Sequence, residues 1–352
     1  MDETSPSRAF ALVGPGRAGT AVALALAERG WRTVAVAGRT PDASSTRAVA
    51  ARLAAPAVEI ADAGREADVV IVATPDAAIA DASAELAPAL RTGALVVHLS
   101  GASTLHELDG VLLARPDVEV GSLHPLQSLP SADVGRRRLA GAWCAIDGSP
   151  RVEKIALTLG MRPFRVDAAD RVRYHAAACV ASNHLVALLG QVERLAAHAG
   201  VPFEAFLPLV RGTIDNVDEL GPAGALTGPV ARGDDEMLAR HVDALRLRGN
   251  RVGGEVARIA GEVLVLRELQ WVHEDRGDHE PVVGARRAHE RSVALVEEAH
   301  GRHEPDGLTT STGGVAPFAQ LGDALDDDHA SVFSLSVFVA SASRRASRTS
   351  AL

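Results

Sequence analysis

The chain is nearly free of lysine: of its 36 Lys and Arg residues, Lys154 is the only lysine. Schiff-base chemistry or a lysine general acid would have to rest on that one side chain. Cysteine is scarce too, and Cys144 and Cys179 can neither build a disulfide framework nor supply the ligand spacing of a zinc site. A reducing cytoplasm is therefore the expected setting. Basic charge is in deficit, 36 Lys and Arg against 45 Asp and Glu for a net charge of -9, so a phosphate backbone held by counterion release is not expected and nucleic acid is excluded as a partner. No apolar run reaches the roughly 18 residues a bilayer span needs, and Met1–Arg8 carries no signal-peptide pattern. A soluble, unexported protein that takes no membrane partner is expected.

Against these absences stand 352 residues, 47% of them apolar, which at about 150 residues per domain allows two domains and some further chain. Short apolar runs alternate with helix-length segments from Ala9 onward, the rhythm of a parallel sheet covered on both faces. Strands are expected at Ala9–Val13, Thr33–Ala37, Val58–Ile60, Val69–Ala73 and Ala94–Leu99, with helices at Ala18–Arg29, Ser44–Leu53 and Asp76–Leu90. Ala142–Ile146 and Pro163–Val166 flank a helical Arg151–Leu159 and extend the sheet. The fold class is α/β, a Rossmann-type doubly wound parallel sheet followed by an all-helical domain. The expected divisions are a flexible 1–8, a dinucleotide-binding domain at 9–166, a helical domain for substrate and dimerisation at 167–271, and a weakly ordered tail at 272–352. Within these, Ala168–Ala199 and Phe203–Leu220 read as helical, a further helix runs to about Trp271, and Ser331–Ala342 alternates partly like a strand.

The strongest local signal is Gly14-Pro15-Gly16-Arg17-Ala18-Gly19, between a predicted strand and a predicted helix. Each glycine has a role: Gly14 for the tight turn, Gly16 for close approach of a pyrophosphate, Gly19 for helix–sheet packing. The helix start supplies unpaired N–H groups and a positive dipole end. At the end of the second strand, Arg39 and Thr40 stand where an acidic ribose reader would be, and no carboxylate follows until Asp42. Arg39 can pair with a 2′-phosphate that a carboxylate would repel, which favours NADP (NADPH) over NAD. Thr74 and Pro75 end the next apolar strand on the carboxyl edge and are placed to line the cofactor crevice, while Pro75 and Asp76 suit the first turn of a helix.

His124, in Ser122-Leu123-His124-Pro125, is the candidate proton-exchanging group for hydride transfer, with Ser100 placed to orient the substrate oxygen. A structural histidine held on a loop is the plainer alternative for His124. His175, Ser182 and Asn183 fall near one helix face, as a domain contact or as a wall of a substrate cleft. Arg232 could clamp an anionic substrate, and Asp234 could cap a helix beginning at Asp235. No metal is expected, because five of the 13 histidines fall between His273 and His303 without ligand spacing. No G-x-S-x-G elbow supports a serine nucleophile.

Taken together, Gly14–Gly19, Val97–Gly101, Ser122–Ser128, Tyr174-His175 with Ala181-Ser182-Asn183, and Leu226–Asp234 resemble the Rossmann-like proteins paired with domain of unknown function 2520, over about Ala9 to Leu247. The resemblance implies an NADP-linked oxidoreductase whose helical part is of the 6-phosphogluconate-dehydrogenase C-terminal type and pairs into a homodimer. More distantly the layout is similar to pyrroline-5-carboxylate reductase, the F420-dependent NADP reductase and prephenate dehydrogenase. In the last of these a Gly-x-His-Pro segment bears the catalytic histidine, which carries over to His124, and an Arg/Lys–Ser/Gly–Asp turn matches Arg232-Gly233-Asp234. The lysine that 6-phosphogluconate and 3-hydroxyacid dehydrogenases carry on the first helix of their second domain has no counterpart here. Such proteins end soon after the Arg-Gly-Asp turn, whereas this chain continues to Leu352, either as a genuine extension or as an out-of-frame reading of the gene. The expected activity is hydride transfer between NADP(H) and a small anionic carbonyl, hydroxy or imine compound in an interdomain cleft; a non-catalytic NADP sensor is the rival.

Overall fold

A computed structural model of the chain describes residues 8–246. The expected helix to Trp271, the 272–352 tail with Ser331–Ala342, and the N-terminal segment before Arg8 lie outside the described residues.

Seven strands, β1 (Ala9–Val13), β2 (Arg32–Ala37), β3 (Val69–Val72), β4 (Leu95–His98), β5 (Glu119–Pro125), β6 (Trp143–Gly148) and β7 (Arg162–Arg165), form one sheet in the order β2-β1-β3-β4-β5-β6-β7. The pairs up to β5 are parallel, β6 runs antiparallel to β5, and β7 runs parallel to β6. The connecting helices are α1 (Arg17–Ala27), α2 (Ser44–Arg52), α3 (Ile79–Leu86), α4 (Asp109–Ala114), α5 (Ala132–Arg138) and α6 (Pro150–Thr158). Strands that are apolar at every position, such as Ala9–Val13 and Val69–Val72, are buried throughout because helices cover both faces. Phe10 and Leu12 join the core layer under α1 and α6, with Val22, Leu26, Val152 and Ile155. Ala9, Ala11 and Val13 face the opposite layer, with Ile79, Leu86 and Val111 of α3 and α4.

Three expectations are corrected. Val58–Ile60 is not a strand: a single bridge joins Val36 to Ala57, and Ile60–Asp62 is a 3-10 turn. Asp76–Leu90 is not one helix but a 3-10 turn, α3, and a second 3-10 turn Ala87–Ala89 that carries Pro88. The segment around His124 is not a loop, because Glu119–Pro125 is the fifth strand.

Beyond the sheet come α7 (Arg171–Cys179), a π-turn at Val180–His184, and α8 (Leu185–Ala199), closed by Gly200 in the left-handed conformation at φ 72°. Next are α9 (Leu207–Ala225), broken at Gly221 with φ 71° and ψ 166°, then α10 (Gly228–Ala231) and α11 (Asp235–Arg246). The compact unit that holds the sheet extends through Gly212 and includes α7 and α8; a second unit begins at Thr213. Among the described residues, no helix is long and apolar enough to cross a membrane.

Candidate active site

The turn from β1 into α1 has the stereochemistry that its glycines imply. Gly14 has φ 89°, and a Cβ on it would lie 2.6 Å from the carbonyl carbon of Ala73 and 2.7 Å from the amide nitrogen of Thr74. A Cβ on Gly19 would lie 2.6 Å from both the Ala73 side chain and the Gly14 carbonyl oxygen. Nothing stands within 4 Å of the position a Cβ would take on Gly16, which opens α1 beside exposed Arg17. Two glycines thus press the loop onto the end of β3, and the third leaves the helix start open to a ligand. Pro15 and Ala18 are half-buried in the same turn. The Thr74 hydroxyl is buried with no hydrogen-bond partner among the described residues, and Pro75 beside it is exposed. Arg39 and Thr40 are exposed just beyond the end of β2. An open helix start, a buried hydroxyl without a partner and an exposed guanidinium on one sheet edge fit a dinucleotide phosphate.

The carboxyl ends of β4 and β5 gather the polar groups. Ser100 is buried, donates to an Asp76 carboxylate oxygen at 2.8 Å, and accepts from the amides of Ala102 at 3.2 Å and Ser103 at 2.9 Å. Its one proton and both lone pairs are engaged. The expectation that Ser100 orients a substrate oxygen therefore meets a hydroxyl already committed to shaping the turn. His98 is wholly buried at the end of β4; its Nδ1 accepts the Ser100 amide at 3.2 Å, and burial and then the Arg171 charge push its pKa down to about 4.

His124 stands on β5 with Nδ1 2.7 Å from the Tyr174 hydroxyl. Its ring meets those of Tyr174 and His175 edge-on, at centroid distances of 5.6 and 5.8 Å. Tyr174 packs in turn on Phe164 of β7 at 5.7 Å, and Phe164 on Trp143 of β6 at 6.1 Å. Burial is the main cause that lowers the His124 pKa to about 4; the His175 and Arg171 charges add to it, and Asp76 opposes them. Burial likewise raises the Tyr174 hydroxyl to about 12. At neutral pH both groups are uncharged.

Arg171, the first residue of α7, escaped the sequence reading. It is wholly buried and donates through both terminal nitrogens to Ser122 Oγ, at 2.9 and 2.7 Å. Nothing local in the sequence marks it, since an arginine opening a helix is ordinarily a surface residue. Gly101 is the other residue whose role was hidden: a Cβ there would lie 2.8 Å from Nε2 and Cε1 of His124 and 2.7 Å from Cδ2 of His175.

His175, already in ring contact with His124, has a second neighbour. His175 Nδ1 lies 3.9 Å from the thiol of Cys179, one turn along α7. The π-turn puts Ser182 half-buried and Asn183 exposed, so their shared face with His175 does not follow the α-helical spacing that sequence alone suggests. Arg232 is exposed in the second compact unit. The carboxylate of Asp234 accepts the Met237 amide at 3.1 Å, the helix cap that its position implied. Among the described residues no group of three His, Cys, Asp or Glu side chains is placed to hold a metal ion.

Two family models match the chain. Residues 3–125 match the Rossmann-like domain, and residues 143–257 match the family described as Domain of unknown function (DUF2520). A Bacteroides fragilis protein named "putative NADP oxidoreductase" is 27% identical, with a TM-score of 0.60 over 72% of this chain and 98% of that one. A Thermotoga maritima protein, 24% identical, has a TM-score of 0.53 over 76% of this chain and 99% of that one, and shares the fold.

Proposed function

For a chain that joins a Rossmann-like domain to a DUF2520 domain, we propose that the activity is NADP(H)-dependent oxidoreduction of a small anionic carbonyl, hydroxy or imine compound. The observation that carries this reading is the Gly14–Gly19 turn, open at Gly16, on the same sheet edge as the half-buried His124–Tyr174 pair. The Bacteroides fragilis relative, named for NADP oxidoreduction, points the same way.

In this reading the backbone of Gly14, Pro15, Gly16, Arg17, Ala18 and Gly19 holds the pyrophosphate, Arg39 and Thr40 take the 2′-phosphate, and Thr74 and Pro75 line the crevice. The nicotinamide, when bound, supplies or accepts hydride. His124 exchanges the substrate's proton through the ring edge beside Gly101. His175 lies against it, and Asn183 is the candidate to hold the anionic group. Ser100 takes a supporting role, holding Asp76 and the turn that carries Gly101.

A homodimer belongs to the same proposal, supported by the exposed apolar Val186 and Leu195 of α8 and Ile214 and Leu220 of α9. A reducing cytoplasmic location is supported by two unpaired cysteines, Cys144 and Cys179. The test is a screen of small keto acids and imines for oxidation of NADPH by the purified protein. Turnover with any of them, abolished by loss of the Gly14–Gly19 turn, supports the reading. NADPH binding without turnover across the set favours the sensor.

A further inference from the structure

Two rungs join β5 to α7. Ser122 and His124 are two residues apart on a strand and so share one of its faces, while Leu123 between them enters the opposite core layer. Arg171, Tyr174 and His175 are spaced three and four apart on α7 and share one side of that helix. The lower rung is the guanidinium of Arg171 on Ser122 Oγ at 2.7 and 2.9 Å; the upper is the hydroxyl of Tyr174 on His124 Nδ1 at 2.7 Å.

The lower rung is an odd use of a cation. Arg171 and Ser122 are both wholly buried, and the carboxylate whose charge reaches Arg171 is that of Asp147, paired across the sheet with Ser122. Desolvating a guanidinium outweighs what hydrogen bonds to one serine hydroxyl return, so stability alone does not account for this arrangement. The upper rung is what it places. Tyr174 is the only tyrosine in the chain, and its hydroxyl is hydrogen-bonded to Nδ1 of His124. A hydroxyl that donates to Nδ1 leaves the imidazole proton on Nε2. Nε2 borders the space that a side chain at Gly101 would fill.

We infer that Arg171 is a positioning residue: its two-armed clamp on Ser122 sets α7 against β5 so that Tyr174 donates to His124 Nδ1 and Nε2 is the nitrogen left for substrate. The inference rests on the reading of His124 as the proton-exchanging group. The charged and titratable groups around that imidazole are Asp76 after β3, His98 on β4, and Arg171, Tyr174 and His175 on α7. The Arg171 charge also opposes protonation of His124, second to burial and the His175 charge.

The test is ¹⁵N NMR of the histidine rings in the full-length protein, with the His124 signals assigned by their loss in His124→Ala. The wild type is expected to show His124 as a single neutral tautomer at pH 7, protonated on Nε2. Ser122→Ala removes the lower rung without touching either ring, and is expected to give mixed tautomers for His124 and a kcat reduced about tenfold or more, with NADPH affinity unchanged. Arg171→Met is expected to do the same and also to raise the pH at which His124 ionises. Arg171→Lys, which keeps the charge but not the fork, should recover the ionisation and not the tautomer. A folded Ser122→Ala or Arg171→Met protein in which His124 stays a single Nε2–H tautomer overturns the clamp, as does a wild type protonated on Nδ1. Full turnover by His124→Ala would instead overturn the catalytic reading of His124 and leave the tautomer result standing.

Discussion

Gly101 and His124 are so close that a single methyl group on the glycine would sit 2.8 Å from the imidazole Nε2. The same methyl would lie 2.7 Å from the ring of His175, so the missing side chain is what lets two imidazoles pack against this turn. Gly101→Ala is therefore expected to cost about 1–3 kcal/mol by overpacking and to lower kcat/KM with little change in NADPH affinity. Thermal melts with cofactor titration check it; an unaffected kcat/KM would mean that substrate does not enter beside Nε2.

Arg39 in place of an acidic ribose reader should make NADPH bind at least tenfold more tightly than NADH, a difference of about 1.4 kcal/mol. Titration calorimetry with both cofactors measures it. An Arg39→Ala protein is expected to lose the preference, and one that keeps it would remove Arg39 from the 2′-phosphate site.

His124→Ala is expected to reduce turnover by about 10²–10⁴ while NADPH affinity stays nearly constant. His124→Asn should match it, since an amide keeps a hydrogen bond but does not exchange a proton near neutral pH. With the pKa held at about 4, the imidazole is neutral throughout the ordinary pH range. Turnover through the neutral ring, with Nδ1 engaged by Tyr174 and Nε2–H facing the substrate oxygen, should then be flat above about pH 5 and fall below it. A rate that instead breaks near pH 6.5 would mean that His124 is solvated in the working enzyme.

The buried histidines also predict how stability varies with pH. The pKa of His98 falls from 6.5 in the open chain to about 4 in the fold, with burial as the main cause. Between those values the unfolded chain binds the proton and the folded one does not, so stability falls as pH drops through that window and levels off below it. A shift of this size corresponds to about 3 kcal/mol from His98. Chemical denaturation at pH 7, 5.5 and 4 should show the slope, and His98→Gln should reduce it, leaving the share of His124. A slope confined below pH 4 would implicate carboxylates instead.

How far the sequence spoke depended on whether the signal was local. The Gly14–Gly19 turn was legible because glycines answer backbone constraints, seen here in the positive φ at Gly14 and the tight approaches at Gly14 and Gly19. Apolar strands were legible where helices cover both faces. β5 was not, because Gly121, Ser122, His124 and Pro125 break its apolar run for reasons that lie across space: Val152 packs where a Gly121 side chain would be, and Arg171 and Tyr174 hold the serine and the histidine. The expected strand at Val58–Ile60 had an apolar run but only a single bridge to β2. The burial of Arg171 could not be read from its neighbours in the chain, since its partner is 49 residues away.

The reversed direction of β6 reaches further than the edge of the sheet. Because β7 follows β6, the chain leaves it at Arg165, level with Ile146 and, across β6, with Leu123. It therefore exits two residues short of the carboxyl end of β5, and α7 runs back toward that edge, passing Ser122 with Arg171 and His124 with Tyr174. The connection from Arg165 to Arg171 thus works as a ruler: one extra residue would rotate α7 by about 100° and swing Tyr174 away from His124. The sheet's own hydrogen bonds would all survive. Insertions that surface loops elsewhere absorb freely should be barred from this short span, whatever residues compose it.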